Sequence, residues 1–240
     1  GVQTCALPIC SAADIIRRAM IRMEGELDQH KLKAAMLLQV HDELIFEVPD
    51  SEVEKTIPVV KHVMEQAPLP AIALAAHIAT LDYGKRVAIL DIDAHHGDGT
   101  ENLTAANPNV LTFSIHQYGI FPGTGFDSQP ELNVYNFPLY PTHPNKQLGM
   151  GDSALFHGAL VFLQKLSEFK PDILFIACGA DAHLEDPLSS LEYSVQGYRR
   201  IAQLIRTKYP ELPILLGGAG GYLPDTRTPE VWSEFAAAIA

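Results

Sequence analysis

Val87-Ala88-Ile89-Leu90 runs without a break into Asp91-Ile92-Asp93-Ala94-His95-His96-Gly97-Asp98-Gly99. An unbroken apolar run fits a strand buried on both faces, as in a parallel sheet covered by helices. The polar groups that follow then stand just past the C-terminal end of that strand, where open α/β sheets take their ligands. Asp93 and His95 are two apart, so in extended backbone both side chains project from one face. A carboxylate and an imidazole aimed at one point suit a metal ion of borderline hardness. A helix-capping turn started by Asp93 or Asp98 is the simpler account of a single acidic turn. Five ionisable side chains within eight residues are more than capping requires.

The same pattern recurs downstream. Residues 110–115 are apolar and end at His116, 172–178 run into Gly179-Ala180-Asp181, and 213–216 run into a glycine-rich turn ending at Tyr222. Helices predicted over 71–80, 152–168, 194–209 and 229–240 alternate with these strands, as βαβ units do. Residues 117–150 lack a period and read as one long loop rich in Pro, Gly and Asn, a length that usually carries function. The expected architecture is an α/β fold, an open and mainly parallel sheet with helices on both faces. Parallel strands would gather Asp93, His95, Ser114, His116, Asp181 and Tyr222 along one edge. Two carboxylates and an imidazole from two loops, with a position left open, are the donor set of catalytic zinc. Taken singly, Asp181 suits a helix cap equally well, and Tyr222 suits a core.

Composition narrows the classes. Hydrophobic residues make up 47% of 240 residues, enough for a substantial core in one large or two smaller domains. The net charge of −12 argues against binding nucleic-acid backbones. Cys5, Cys10 and Cys178 make no disulfide framework, so a reducing, cytoplasmic setting is expected. No apolar run reaches the roughly 18–20 residues of a membrane span, and neither a signal peptide nor membrane association is expected.

The first part of the chain has a different character. Residues 1–10 show no period and read as a tail or read-through scar. Ser11 suits the cap of a helix carrying Ile15, Ile16, Ala19, Met20 and Met23. Strands are expected over 36–40 and 43–48, with His41-Asp42 between them. Pro49-Asp50-Ser51 then opens a helix with Val53, Ile57, Val60, Val63 and Met64 on one face. This small α+β helix–hairpin–helix unit resembles the end of the palm of A-family bacterial DNA polymerases. The matching stretches are Ser11-Ala-Ala-Asp-Ile-Ile-Arg-Arg-Ala-Met20 and Leu38-Gln-Val-His-Asp-Glu-Leu-Ile-Phe-Glu-Val48. The resemblance implies that Asp42, beside Glu43, is a ligand of one of two catalytic Mg²⁺ ions. Two-metal phosphoryl transfer also needs an opposing carboxylate site and a helix to hold the nucleotide. Residues 11–70 supply neither, so Asp42 reads as a hairpin carboxylate without a partner, and no productive nucleic-acid binding is expected.

Residues 71–240 resemble the C-terminal two-thirds of the zinc-dependent histone deacetylase and acetylpolyamine amidohydrolase superfamily. The stretches that carry this are Asp91-Ile-Asp-Ala-His-His-Gly-Asp-Gly99, Phe121-Pro-Gly-Thr-Gly125, Cys178-Gly-Ala-Asp181 with Asp186-Pro-Leu188, and Leu216-Gly-Gly-Ala-Gly-Gly-Tyr222. The resemblance implies Zn²⁺ held by Asp93, His95 and Asp181, and a transition-state hydroxyl from Tyr222. It implies a channel for an acyl-lysine-like chain lined by Phe121, Gly220 and Gly221, and an acetylated lysine or polyamine as substrate. It implies K⁺ beside the zinc, held by Asp91 and Ser114 with the carbonyls of Asp93 and His95, and supporting roles behind the ligands for Asp91, His96 and Asp98. The superfamily's upstream His-His pair, its general base and acid, has no counterpart, because His95-His96 are the only adjacent histidines. Asp91 and Asp98, which would orient that pair, lack their partners. The expectation is therefore an impaired zinc deacetylase domain that lacks its N-terminal third, and its C-terminal elements past residue 240 as well, fused to a polymerase fragment. The alternatives are a non-catalytic zinc-binding remnant and a polymerase I fragment.

Overall fold

The computed structural model describes residues 20, 23–40, 43–66, 71–140 and 149–240. The chain divides into two units, Gly1–Leu69 and Pro70–Ala240.

In the first unit a helix over 23–29 (α1) is followed by the strands Ala35–Val40 (β1) and Glu43–Glu47 (β2), a 3₁₀ turn at Asp50–Glu52, and the helix Val53–Gln66 (α2). β1 and β2 form an antiparallel hairpin. Met23, Leu27, Ala34 and Val59 make the buried cluster. The predicted stripe on α2 holds over its described members, since Val53, Ile57 and Val60 line one open apolar groove with Phe46 and Val48. It is only partly covered: Val53 and Ile57 are 36% and 45% exposed while Thr56 and Val59 are buried. Helical spacing finds an apolar stripe but not how much of it is covered, and two strands are too narrow to cover the whole stripe. The helix expected from Ser11 falls largely outside the described residues, as do His41-Asp42 and the side chains of Glu43, Val63 and Met64.

The second unit alternates helices and strands: α3 (Ala71–Leu81), β3 (Val87–Asp91), α4 (Asp98–Thr104), β4 (Val110–Gln117), β5 (Val134–Leu139), α5 (Asp152–Phe169), β6 (Ile173–Cys178), α6 (Val195–Lys208), β7 (Ile214–Gly218) and α7 (Arg227–Ile239). The five strands form one parallel sheet in the order β5-β4-β3-β6-β7. Alternation along β3 divides the core. Ala88 and Leu90 join the large cluster with α5, α6 and α7, while Val87 and Ile89 pack with Ala76 of α3. Helices therefore cover both faces, and β3 is buried along its whole length. From β3 the chain moves one way through β4 to β5, then returns through α5 to β6 on the other side. β3 thus stands at the switch point of the sheet, where ligands gather at the C-terminal strand ends.

Two expectations change. The stretch 117–150 is not one irregular loop, since it contains a 3₁₀ turn at Pro130–Leu132 and the edge strand β5. Asn136 and Pro138 interrupt its apolar run, and a proline is admissible there because only one side of an edge strand is paired. The fourth predicted strand, β7, is the opposite edge and is only half-buried.

Leu90 is fully buried on the central strand, whereas Leu215 on β7 is 44% exposed. Leu90→Ala will destabilise the second unit by about 2–5 kcal/mol, and Leu215→Ala by about 1 kcal/mol or less. Urea unfolding followed by the fluorescence of Trp232, the single tryptophan, measures both.

Candidate metal centre

Three strand ends meet over the middle of the sheet. β3 gives way to Asp93 and His95, β6 to Gly179 and Asp181, and β7 to Gly220 and Tyr222. Asp93 Oδ1 accepts from the His95 amide at 2.9 Å and from His95 Nδ1 at 3.2 Å. Asp181 Oδ2 accepts from the same Nδ1 at 2.8 Å, and its Oδ1 accepts from the Ala94 amide at 2.9 Å. The Gly220 amide donates to Asp93 Oδ2 at 2.5 Å. Ligand atoms of Asp93, His95 and Asp181 all lie within 4.8 Å of one another. Both neighbours of Nδ1 are carboxylates, which only accept, so this nitrogen carries the proton.

The carboxylates are walled by glycines. A Cβ on Gly220 would stand 2.6 Å from Asp181 Cγ and 2.7 Å from Asp93 Oδ2, and one on Gly179 would stand 2.5 Å from Asp93 Oδ2. No side chain fits at either place, so close approach of backbone to carboxylate is what these glycines provide.

The electrostatics describe a site short of positive charge. Hydrogen bonds to Asp181 and then Asp93 push His95 up to about 10, against the effect of burial. Burial pushes Asp181 up to about 6, and the Asp93 charge offsets the pull of His95. Burial, then the Asp93 charge, also hold Asp91 well above the carboxylate range. For Asp93, burial is overcome by hydrogen bonds from the His95 ring and from the His95 and Gly220 amides, which hold it low. Two carboxylates and an imidazole, bridged only by a proton, form a donor set that fits a divalent metal ion.

The remaining predicted residues take these places. Asp91 Oδ1 accepts from the Asp93 amide at 3.0 Å, and Asp91 is the register partner of Ser114. Ser114 and His116 lie within β4 rather than past its end. His116 Nε2 donates to the Gly125 carbonyl at 3.0 Å, and burial lowers its pKa to about 4. Its Nδ1 therefore accepts from the Ser114 hydroxyl at 2.9 Å. Asp98 opens α4 behind a Gly97 cap, and its Oδ1 accepts from the Gly99 amide at 2.8 Å. His96 is buried and bonds Glu101 and Thr124. No helix starts at Asp181, so it is not a cap. Tyr222 is 49% exposed and so not a core residue. Its amide donates to Asp186 Oδ2 at 2.8 Å. Burial, then the Asp181, Asp93 and Asp186 charges, raise its hydroxyl, which stays protonated at neutral pH. Phe121 is 74% exposed. Gly221 has φ of +151°, and a Cβ there would stand 2.7 Å from Thr228 Cγ2.

The model of the histone deacetylase domain matches residues 69–239, well over half of the sequence. The chain belongs to the histone deacetylase family. It is 38% identical over 156 residues to the uncharacterized protein slr0245 of Synechocystis sp., covering 63% of this chain and 48% of that protein. It is 33% identical over 172 residues to the acetoin utilization protein AcuC of Staphylococcus aureus, covering 68% of this chain and 43% of that one. The crystal structure of acetylpolyamine aminohydrolase from Burkholderia pseudomallei superimposes with a TM-score of 0.59 at 29% identity, over 70% of this chain and 48% of that one. The chain thus spans about half the length of these relatives. A second model, DNA polymerase family A, matches residues 7–83 and overlaps the first across α3.

Within this histone deacetylase domain several supporting groups escaped sequence reasoning. The Ala94 amide, Gly179 and Asp186 each touch Asp93, Asp181 or Tyr222; all three lie in the stretches that carry the resemblance, but the sequence alone assigns none of them a role. The one available signal is position, since Gly179 directly follows an apolar strand.

A metal ion at this centre must displace the His95 proton. That proton is bound below about pH 10, so raising the pH removes a competitor. Zn²⁺ affinity will rise about tenfold per pH unit from roughly pH 7 to 9, and more steeply below about pH 6 where Asp181 is protonated too. Competition against a chromophoric chelator measures this. Gly220→Ala will lower the affinity about 10–100-fold at every pH without changing the slope.

Proposed function

We propose that residues 71–240 act as a zinc-dependent amide hydrolase domain whose substrate is an acetylated lysine or an acetylpolyamine-type amide. The observation that carries this reading is the convergence of Asp93, His95 and Asp181 from two loops, in a chain of the histone deacetylase family. Zn²⁺ is the ion assigned to these three residues. When bound, it supplies Lewis-acid polarisation of the amide carbonyl and lowers the pKa of water. The chain's own residues do the rest. The protonated Tyr222 hydroxyl donates to the oxygen on which negative charge develops. Asp186 holds the backbone of that tyrosine through its amide. Phe121 offers an exposed ring to the aliphatic part of the substrate, with Gly220 and Gly221 leaving room beside it. Asp91 and Ser114 are assigned to K⁺.

Proton transfer is the weak half. With no His-His pair, Asp91 and Asp98 spend side-chain oxygens on the amides of Asp93 and Gly99. Loss of a positioned general base lowers the rate by about 10²–10⁴. This favours a second reading of the same site, a non-catalytic zinc-binding module. Residues 11–70 are read as a polymerase palm-like piece joined to this domain, on the strength of the family match over 7–83. Asp42 and Glu43 are its remnant of a metal site, and the −12 charge speaks against nucleic-acid binding.

Metal-stripped chain reloaded with Zn²⁺ will retain about one equivalent, and Asp181→Ala will retain none. Release of acetate from an acetyl-lysine peptide by the loaded chain, reduced about 10²–10³-fold in Tyr222→Phe, supports the hydrolase. Retained zinc without acetate release assigns the binding module. Failure to retain zinc sinks both readings, and metal-dependent nucleotide incorporation would favour a polymerase fragment.

A further inference from the structure

Phe121 is 74% exposed, so burial of its own ring does not hold it in place. Its position is inherited from the backbone a few residues on, and there a buried polar chain begins. Thr124 Oγ1 lies 2.8 Å from His96 Nδ1. His96 Nε2 donates to Glu101 Oε2 at 3.0 Å. The same oxygen of Glu101 accepts from Asn136 Nδ2 on β5 at 2.9 Å, and its Oε1 accepts from Gln129 Nε2 at 3.4 Å. Gly125 closes the arrangement. Its carbonyl accepts from His116 Nε2, and the His96 and His116 rings lie 4.7 Å apart. At a φ of +75°, a Cβ on Gly125 would stand 2.5 Å from His96 Cγ and 2.7 Å from His116 Nε2. Burial alone would raise the Glu101 carboxyl, but the His96 and Asn136 hydrogen bonds hold it below the usual range.

We propose that Glu101, acting through His96 and Thr124, is a positioning residue that clamps the Phe121–Gly125 loop onto the metal-bearing loop and so shapes the mouth of the site. The connection runs from the first turn of α4, through the residue beside a ligand, to the loop that carries Phe121. It joins the stretch 96–101 to Thr124, 28 residues beyond His96, and each step is a hydrogen bond between side chains. The metal ligands themselves are held by main-chain amides, so the clamp acts on the mouth and not on the cradle. The clamp follows from these contacts alone. That the clamped loop admits an acyl-amine chain rests on the reading under Proposed function.

Hydrogen exchange followed by mass spectrometry on the full chain tests the clamp without any need for turnover. Thr124→Val, nearly isosteric, and Glu101→Ala will each speed exchange of residues 118–128 by about tenfold while β6 and α5 keep wild-type rates. Glu101→Gln retains an acceptor oxygen and will restore most of the protection. The double variant will exchange no faster than Glu101→Ala, because both substitutions cut one chain. Unchanged exchange over 118–128 in Thr124→Val overturns the clamp, as does additive acceleration in the double variant. Binding of N-acetyl-lysine amide to the zinc-loaded chain then separates the two readings. If the wild type does not bind it, the substrate reading fails while exchange still decides the clamp. If Thr124→Val binds it as tightly as wild type despite a faster loop, the clamp does not shape the mouth.

Discussion

Asp181 is completely withdrawn from water, and a second carboxylate, Asp93, lies against the same imidazole nitrogen. An isolated buried carboxylate is penalised by several kcal/mol, and two side by side repel each other as well. Their lone pairs are taken by the amides of Ala94, His95 and Gly220 and by the proton on His95. Each amide imposes a condition on the fold. The Ala94 and His95 amides require the turn that breaks off β3. The Gly220 amide requires the end of β7 to reach the middle of the sheet, and Gly179 must be small enough to let Asp93 in. A parallel sheet with β3 at its switch point meets these conditions because it brings the ends of β3, β6 and β7 to one edge.

That much was legible, because the evidence for it is local and repeated. An apolar run followed by ionisable residues says strand end, and four of them in one chain say sheet edge. The meeting of Asp93, His95 and Asp181, the helices α5 and α6 and the parallel order follow from that reading. What escaped depends on depth and on partners. β5 carries Asn136 and Pro138 and forms a single ladder, so it has neither the composition nor the period of a central strand. On α2 the apolar stripe is real but only partly covered, since periodicity records a direction around a helix and not how much lies opposite. Glu101 resembled any acidic residue on a short surface helix. Only the fold shows it half-buried among His96, Asn136 and Gln129.

Two family models meet in this chain, and the boundary between its compact units falls close to where they overlap. The physical difference between the units is the amount of core. Among the described residues the first gathers four buried apolar residues around a two-stranded hairpin and leaves a groove along α2 open. The second buries both faces of a five-stranded sheet. A hairpin needs cover from more than one helix to bury its apolar side chains. Among the described residues, most of the buried apolar side chains belong to the unit that also carries the ionisable cluster.

The way the centre is built separates what holds its carboxylates from what would move a proton. Ligand geometry here is a main-chain property. Three amides and two glycines fix the carboxylates, and all of them come with the strand ends themselves. A positioned base is a side-chain property and has to be contributed by a particular residue. Asp91 and Asp98 accept from the amides of Asp93 and Gly99, the default partners of a short acidic side chain at a turn. Of these two bonds only the one to the Asp93 amide touches a residue of the cradle. The cradle is therefore complete in this chain whether or not a base stands over it.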